Sequence, residues 1–146
     1  MRPVLRKEIL LVPVVLLLAP FAGAQAKATI QKPKPLTVTG GRCQLKGDGT
    51  LGVNIGPSAA MPVLAFTIGP GAYAADEMHA NKAKFTGPGK YVNEMIAVYL
   101  GKTALVDSYL GLGTVTVAAD GKSGTFALND GKAAGMFDCG AAPSKP

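Results

Sequence analysis

Residues 113–139 read GTVTVAADGKSGTFALNDGKAAGMFDC, a stretch in which apolar and polar residues alternate and two Asp-Gly pairs interrupt the alternation. The apolar residues at every second position are Val115 and Val117, Phe126 and Leu128, and Phe137 and Cys139. A period of two places such residues on one face of a β-strand. Asp-Gly is a strong signal for a two-residue hairpin turn. The stretch therefore predicts three antiparallel strands joined by turns at Asp120-Gly121 and Asp130-Gly131.

The same alternation runs through the chain from residue 36 onward. Further apolar sets lie at Leu51, Val53 and Ile55, at Leu64, Phe66 and Ile68, and at Ile96, Val98 and Leu100. Asp48-Gly49 predicts another hairpin, and Gly40-Gly41 predicts a bulge or a sharp bend. Residues 91–100, 103–110 and 113–118 are predicted as three separate strands. About eight or nine short strands favour an all-β fold, either an antiparallel β-sandwich that is immunoglobulin-like in general architecture or a partly open barrel.

Residues 1–26 have the pattern of a secretory signal peptide. Three basic residues precede an apolar run from Ile9 to Ala19, and that run is about half of the 20 or so residues that a membrane span needs. Ala22-Gly23-Ala24 and Ala24-Gln25-Ala26 both fit the A-x-A cleavage pattern. We expect a cut after Ala26 and no stable membrane span in the product.

The rest of the chain divides into a flexible lead at 27–35, one β-sandwich domain at 36–140 and a C-terminal tail at 141–146. The formal net charge of +6 comes mostly from the signal, the lead and the tail, because the span 36–140 holds eight basic and eight acidic residues. A nucleic-acid-binding surface needs clustered basic residues with stacking aromatics. The scattered charges here exclude nucleic acid as an expected partner.

The chain has two cysteines, Cys43 and Cys139, near the two ends of the domain. In an exported protein such a pair usually forms a disulfide. A redox-active pair would usually be closely spaced as C-x-x-C, which is missing here. We therefore expect a structural bond between Cys43 and Cys139.

The connection from Gly69 to Tyr91 is the longest stretch without a clear strand pattern. Gly-Pro-Gly-x-Tyr occurs twice in it, ending at Tyr73 and at Tyr91, and Met78-His79 lies between the two copies. Such a repeat is typical of turn chemistry, since Pro fixes φ and Gly supplies positive φ. Loops held by a rigid scaffold also commonly bind ligands. Tyr73, Met78, His79 and Tyr91 are therefore the candidate binding residues.

Catalytic and metal chemistry find little support in the sequence. His79 is the single histidine, and no serine lies in a G-x-S-x-G motif. Glu94, Asp107 and Asp138 fall within strand patterns and are expected to face solvent. Two alternatives stay open: a secreted carbohydrate-active enzyme that uses a pair of carboxylates, and a low-affinity periplasmic copper binder that uses Met78 and His79. We expect no catalytic residues, no cofactor and no resident metal.

The order of several small motifs resembles that of a known group. These motifs are Thr39-Gly40, Cys43, Val53-Asn54-Ile55-Gly56, Gly113–Val117, Asp120-Gly121 and Phe137-Asp138-Cys139. In this order the chain is similar to small exported bacterial β-sandwich proteins such as the mycobacterial lipoprotein-antigen group. The resemblance implies a sandwich fold and an exported protein that is not an enzyme. This chain lacks the lipid-acceptor cysteine of that group, so the resemblance does not extend to surface anchoring.

Together these patterns predict a secreted or periplasmic protein. The expected function is a non-catalytic binding or structural accessory role. The expected partner is an unidentified protein or glycan in the periplasm or at the cell surface. An exposed apolar edge used for self-association or docking is a further alternative.

Overall fold

The computed structural model describes residues 25–58, 61–70, 82–103 and 106–143, and that part of the chain forms nine β-strands and no helix. The strands are β1 (Lys27–Lys32), β2 (Leu36–Thr39), β3 (Gly41–Leu45), β4 (Leu51–Ile55), β5 (Leu64–Ile68), β6 (Gly89–Tyr99), β7 (Ser108–Val117), β8 (Ser123–Leu128) and β9 (Ala134–Asp138). All pairings between them are antiparallel. The predicted all-β antiparallel fold is confirmed.

The strands form one hydrogen-bonded sheet in the order β2-β1-β9-β8-β7-β6-β5-β4-β3. The strands at its two ends, β2 and β3, are consecutive in the chain and separated by Gly40 alone. One segment therefore pairs with β1 through its first half and with β4 through its second half. Because the same segment supplies both ends of the order, the sheet curls round on itself and is nearly closed.

The bend in that segment depends on Gly40 and Gly41, which have φ angles of 108° and 82°. Side chains other than glycine rarely adopt such values. A Cβ on Gly41 would also lie 2.0 Å from the carbonyl oxygen of Asn54. The predicted bend is confirmed, and the close approach of β4 explains why glycine is needed there.

The interior is lined by the inward-facing apolar side chains of the strands. Its largest fully buried apolar members are Ile30, Leu51, Ile55, Leu64, Ile68, Ile96, Val53, Val98 and Val115. Phe66 and Phe137 meet edge to face, with ring centroids 5.0 Å apart. Phe137 also pairs across strands with Gly124, and Phe126 pairs with Gly135. Each phenylalanine ring thus lies beside a position without a side chain, which leaves room for large rings in the narrow interior.

The expected flexible lead at 27–35 is wrong for most of its length. Lys27–Lys32 forms β1, which pairs with β9 on one side and with β2 on the other. Ala28 and Ile30 are fully buried. The basic residues of this segment gave it the appearance of a tail, whereas the small and apolar residues between them supply a strand of the core.

The three strands predicted over 91–118 are two in the structure. Gly111 and Leu112, which separate two of the predicted strands, lie inside β7. Gly111 pairs with Ile96 and Gly113 pairs with Glu94 on β6. Here glycine occupies inward-facing positions of a continuous strand and does not end it.

The three Asp-Gly hairpin turns are present, but their loops are longer than two residues. In each turn the glycine has positive φ, between 72° and 85°, and its N–H donates to the carbonyl oxygen three residues earlier. Each aspartate carboxylate accepts the N–H of the residue two positions later. The aspartates thus close the turns through their side chains.

Asp120 makes the most hydrogen bonds of the three turn aspartates. The Ser123 hydroxyl donates to Oδ2 at 2.6 Å, and the N–H groups of Lys122 and Ser123 donate to Oδ1 at 2.9 and 3.0 Å. The Ser123 hydroxyl first, and then the Lys122 N–H, hold the pKa of Asp120 below its ordinary value of 3.8.

This pKa shift predicts the direction of one pH effect. Because the folded-state pKa is depressed, the stabilisation is present above the unfolded-state pKa and is lost as the pH falls through the folded-state pKa. Asp120→Asn should therefore unfold more easily than the parent in urea at about pH 7, and the difference should shrink by about pH 2.5. A difference between the two proteins that stays constant over this range would contradict the assignment.

The predicted disulfide between Cys43 and Cys139 is confirmed, with an S–S distance of 2.01 Å and a Cα–Cα distance of 5.6 Å. It joins β3 to the residue that follows β9. β3 has a strand partner on the β4 side alone, so the bond spans the open seam, which we define as the unpaired side of Gly41–Leu45. A disulfide of this kind indicates a non-reducing, extracellular type of environment. Over the described ranges, we find no helix that is long and apolar enough to cross a membrane.

Candidate functional site

Three of the four predicted binding residues, Tyr73, Met78 and His79, lie outside the described residues. The binding loop between Gly69 and Tyr91 therefore stays a prediction. The fourth residue, Tyr91, lies near the start of β6 and is half-buried against the core.

Tyr91 closes the turn that precedes its own strand. Its hydroxyl donates to the carbonyl oxygen of Gly87 at 2.7 Å and accepts the N–H of Thr86 at 3.1 Å. Its ring lies 5.8 Å from the ring of Phe85, between centroids. These contacts give the second Gly-Pro-Gly-x-Tyr copy a structural role as a turn fastened by its tyrosine.

A buried ion pair lies next to this turn. The carboxylate of Glu94 is 3.0 Å from the ammonium of Lys82, and the side chains are 6% and 12% exposed. Lys82 Nζ also contacts the carbonyl oxygen of Asn93 and lies 3.5 Å from that of Val92. The ammonium is thus surrounded by oxygen atoms of β6, and Lys82 anchors the end of the long connection to that strand.

A β-bulge in β6 provides these oxygen atoms. The register with β7 shifts between Tyr91 and Glu94, and Asn93 has a φ of 56°, a left-handed conformation that asparagine tolerates better than most residues. The bulge leaves both Tyr91 and Glu94 on the inner side of the sheet. Bulges of this kind commonly redirect a side chain at a functional position.

The expectation that Glu94 faces solvent is wrong, because only 4% of the residue is exposed. The sequence position of Glu94 indicates this burial, because residues two apart lie on the same face of a strand and Ile96 is fully buried. Asp107 and Asp138 are exposed, as expected. Lys82 had no sequence signal, because it lies outside the strands.

No group of three or more His, Cys, Asp or Glu side chains is placed to hold a metal ion within residues 25–58, 61–70, 82–103 and 106–143. The buried carboxylate of Glu94 already has an ammonium partner. As arranged, this pair holds the chain together and offers no free acid or base to a substrate.

The outer side of β5, β6 and β7 has a different character. Its apolar side chains, which we call the apolar outer face, are Ala65, Met95, Ala97, Leu110 and Leu112. Ala97 pairs with both Ala65 and Leu110, and Met95 pairs with Leu112, so the five residues are adjacent across three strands. Ala97 is only 6% exposed although it points outward, whereas Leu110 is 65% exposed. The small side chain of Ala97 thus lies low on the sheet surface, beside a leucine side chain that projects from it.

A shallow hollow of about 160 Å³ opens on this face. Its lining residues are Val53, Asn54, Ala65, Phe66, Thr67, Met95 and Ala97, and none of them is charged. Such a hollow offers dispersion contacts and apolar surface, with Asn54 and Thr67 as the side chains able to hydrogen-bond. It suits an apolar group better than a charged one.

The outer side of β1, β9 and β8 is polar by contrast. A hollow of about 380 Å³ there is lined by Lys27, Thr29, Ser123, Gly124, Thr125, Met136, Phe137 and Asp138. Threonine and charged side chains are ordinary on the solvent side of a strand. We call this side the polar outer face.

Comparisons with protein-family models, with curated proteins and with solved structures gave no significant match. The resemblance to small exported bacterial β-sandwich proteins therefore stays a prediction. The candidate site rests on the geometry described above.

Proposed function

We propose that this chain is an exported, non-catalytic binding protein, and that it holds an apolar segment of another exported protein on its apolar outer face. The observation that carries the proposal is the exposure of Leu110. This residue of β7 is 65% exposed, and its outward-facing neighbours on β5, β6 and β7 are apolar. Soluble proteins rarely expose contiguous apolar patches larger than a few hundred Å² unless these have a binding role.

Export is supported by two independent features. The signal-like pattern of residues 1–26 predicts secretion or transfer to the periplasm. The Cys43–Cys139 disulfide requires an oxidising environment to persist. Either destination gives the face access to other exported proteins.

A protein partner is favoured over a glycan by the chemistry of the face. Carbohydrate sites need several precisely placed polar groups that fix the ligand's orientation, whereas the lining of the hollow on this face includes just two side chains able to hydrogen-bond, Asn54 and Thr67. Three strands about 4.8 Å apart give a strip roughly 15 Å wide. The five side chains on this strip are few beside the roughly 20–30 residues, or roughly 800 Å², that each partner contributes to a standard stable complex. We therefore expect a transient contact.

A non-catalytic role is supported by the state of Glu94. Among the described residues it is the buried acid, and its carboxylate lies 3.0 Å from the ammonium of Lys82. A carboxylate held in this way is already engaged by an ammonium group and is not free to contact a substrate.

Site-specific photo-crosslinking in the exporting cell would test the proposal. The full-length chain would have a photoreactive side chain in place of Leu110, or in place of Met136 on the polar outer face as the matched control. Met136 is 44% exposed. We expect a discrete adduct with one exported protein from position 110 alone, and we expect Leu112→Lys to remove it without changing the melting temperature.

Three other outcomes would each overturn the proposal. An adduct of twice the chain mass would mean self-association. Equal adducts from positions 110 and 136 would mean non-specific proximity. Adducts from neither position would mean that the face has no protein partner.

A further inference from the structure

Within the described residues, which begin at Gln25, the first buried residue is Ala26, and it precedes β1. Ala26 is 3% exposed and belongs to the hydrophobic core, whereas Gln25 before it is exposed. Burial in the described part of the chain therefore starts one residue before Lys27, which would be the N-terminus after a cut behind Ala26.

Ala26 also contributes a backbone contact that holds the bend of the β2–β3 segment. Its carbonyl oxygen accepts the N–H of Gly40 at 2.8 Å, and the carbonyl oxygen of Gly40 accepts the N–H of Gly56 at 3.2 Å. Gly40 is thus hydrogen-bonded to the residue before β1 through its N–H and to the residue after β4 through its carbonyl oxygen. Without Ala26, the Gly40 N–H loses its acceptor. The new N-terminus would be the α-ammonium group of Lys27, which can only donate hydrogen bonds and cannot replace that acceptor.

The sequence offers two A-x-A frames, one that ends at Ala24 and one that ends at Ala26. Signal cleavage acts on the chain during export, before the domain folds, so the fold does not direct the enzyme. The fold does determine which product is a complete domain. A cut after Ala24 leaves Ala26 and its carbonyl in place, whereas a cut after Ala26 removes both.

We propose that the chain is processed between Ala24 and Gln25. This inference rests on the export that the proposed function includes. It replaces the expected cut after Ala26 with one that leaves a single exposed residue, Gln25, ahead of the first core residue.

Intact mass and N-terminal peptide mass of the exported protein test the assignment directly. We expect a chain that begins at Gln25, either with its free amine or lighter by one ammonia, because an N-terminal glutamine cyclises when its amine displaces the side-chain NH₃. An exported chain that begins at Lys27 would overturn this inference alone. A chain that keeps Met1 and is found only inside the cell would overturn the proposed export as well.

Two matched variants distinguish the frames without depending on folding. Ala22 is the third residue before the proposed cut and lies outside the other frame, so Ala22→Phe should abolish formation of the Gln25 terminus. Ala26 is the last residue of the other frame, so Ala26→Phe should leave cleavage after Ala24 at the parent level, although the bulky side chain will disturb the folded product. If Ala26→Phe blocks processing and Ala22→Phe does not, the assignment is wrong.

Discussion

Replacing both Cys43 and Cys139 by alanine is expected to lower the free energy of unfolding by about 4–5 kcal/mol. The bond closes a loop with a sequence separation of 96, and in the chain-entropy model this closed loop lowers the entropy of the unfolded chain and so raises its free energy. For a domain of this size the loss corresponds to a fall in melting temperature of about 15–20 °C. Urea unfolding and thermal melting of the double variant against the oxidised parent would measure it.

Reduction of the parent protein provides the control. The reduced parent should approach the double variant in stability, whereas the same reductant should leave the variant unchanged. Hydrogen exchange should also increase in Gly41–Leu45, since β3 has only β4 as a strand partner. If the oxidised parent and the variant unfold at the same urea concentration, the bond does not restrain the unfolded chain as this reasoning requires.

Lys82→Met is expected to cost about 3–5 kcal/mol of stability, because it leaves the carboxylate of Glu94 buried without its ammonium partner. The carboxylate is only 6% exposed, so water replaces the lost partner poorly. Removal of both charges in Lys82→Met with Glu94→Leu should recover most of the loss, since an apolar pair of similar volume is often nearly neutral. Denaturant unfolding of the parent, the two single variants and the double variant would measure the coupling between the residues.

Lys90→Met is the matched control for that experiment. Lys90 lies on the same strand as Glu94 but is exposed, and an exposed lysine contributes at most about 1 kcal/mol. A loss at Lys82 no larger than the loss at Lys90 would contradict the role of the ion pair. So would a double variant as unstable as the sum of the two single variants.

The parts of the fold that the sequence predicted correctly depend on local chemistry. Asp48-Gly49, Asp120-Gly121 and Asp130-Gly131 each form a turn because aspartate binds the backbone two residues on and glycine accepts positive φ. The two cysteines could be paired because the chain has no others. Signals of this kind need no knowledge of which strands are neighbours.

The parts that were missed depend on contacts between distant segments. Lys27–Lys32 is a strand because β9 pairs with it, and nothing within those six residues identifies β9 as the partner. The charge of Glu94 predicts exposure to solvent, whereas its position two residues before Ile96 indicates burial. The ammonium that makes its burial tolerable comes from Lys82, twelve residues earlier in an irregular segment.

The candidate site was the least predictable part. The apolar outer face combines residues of β5, β6 and β7, and Leu110 and Ala97 become neighbours only through the strand register. The repeated Gly-Pro-Gly-x-Tyr motif was visible at once, yet its second tyrosine fastens a turn. The second copy of the motif thus indicates a local turn, whereas the apolar outer face is produced by the pairing of β5, β6 and β7.

The pairing of β1 with β9 determines when the molecule can fold. Lys27 lies opposite Asp138, so the first strand to be synthesised has to wait for the last before its hydrogen bonds on that side can form. Closing contacts of such high sequence separation are slow to form and come late in folding. During synthesis the sheet therefore stays incomplete until its final strand has been made.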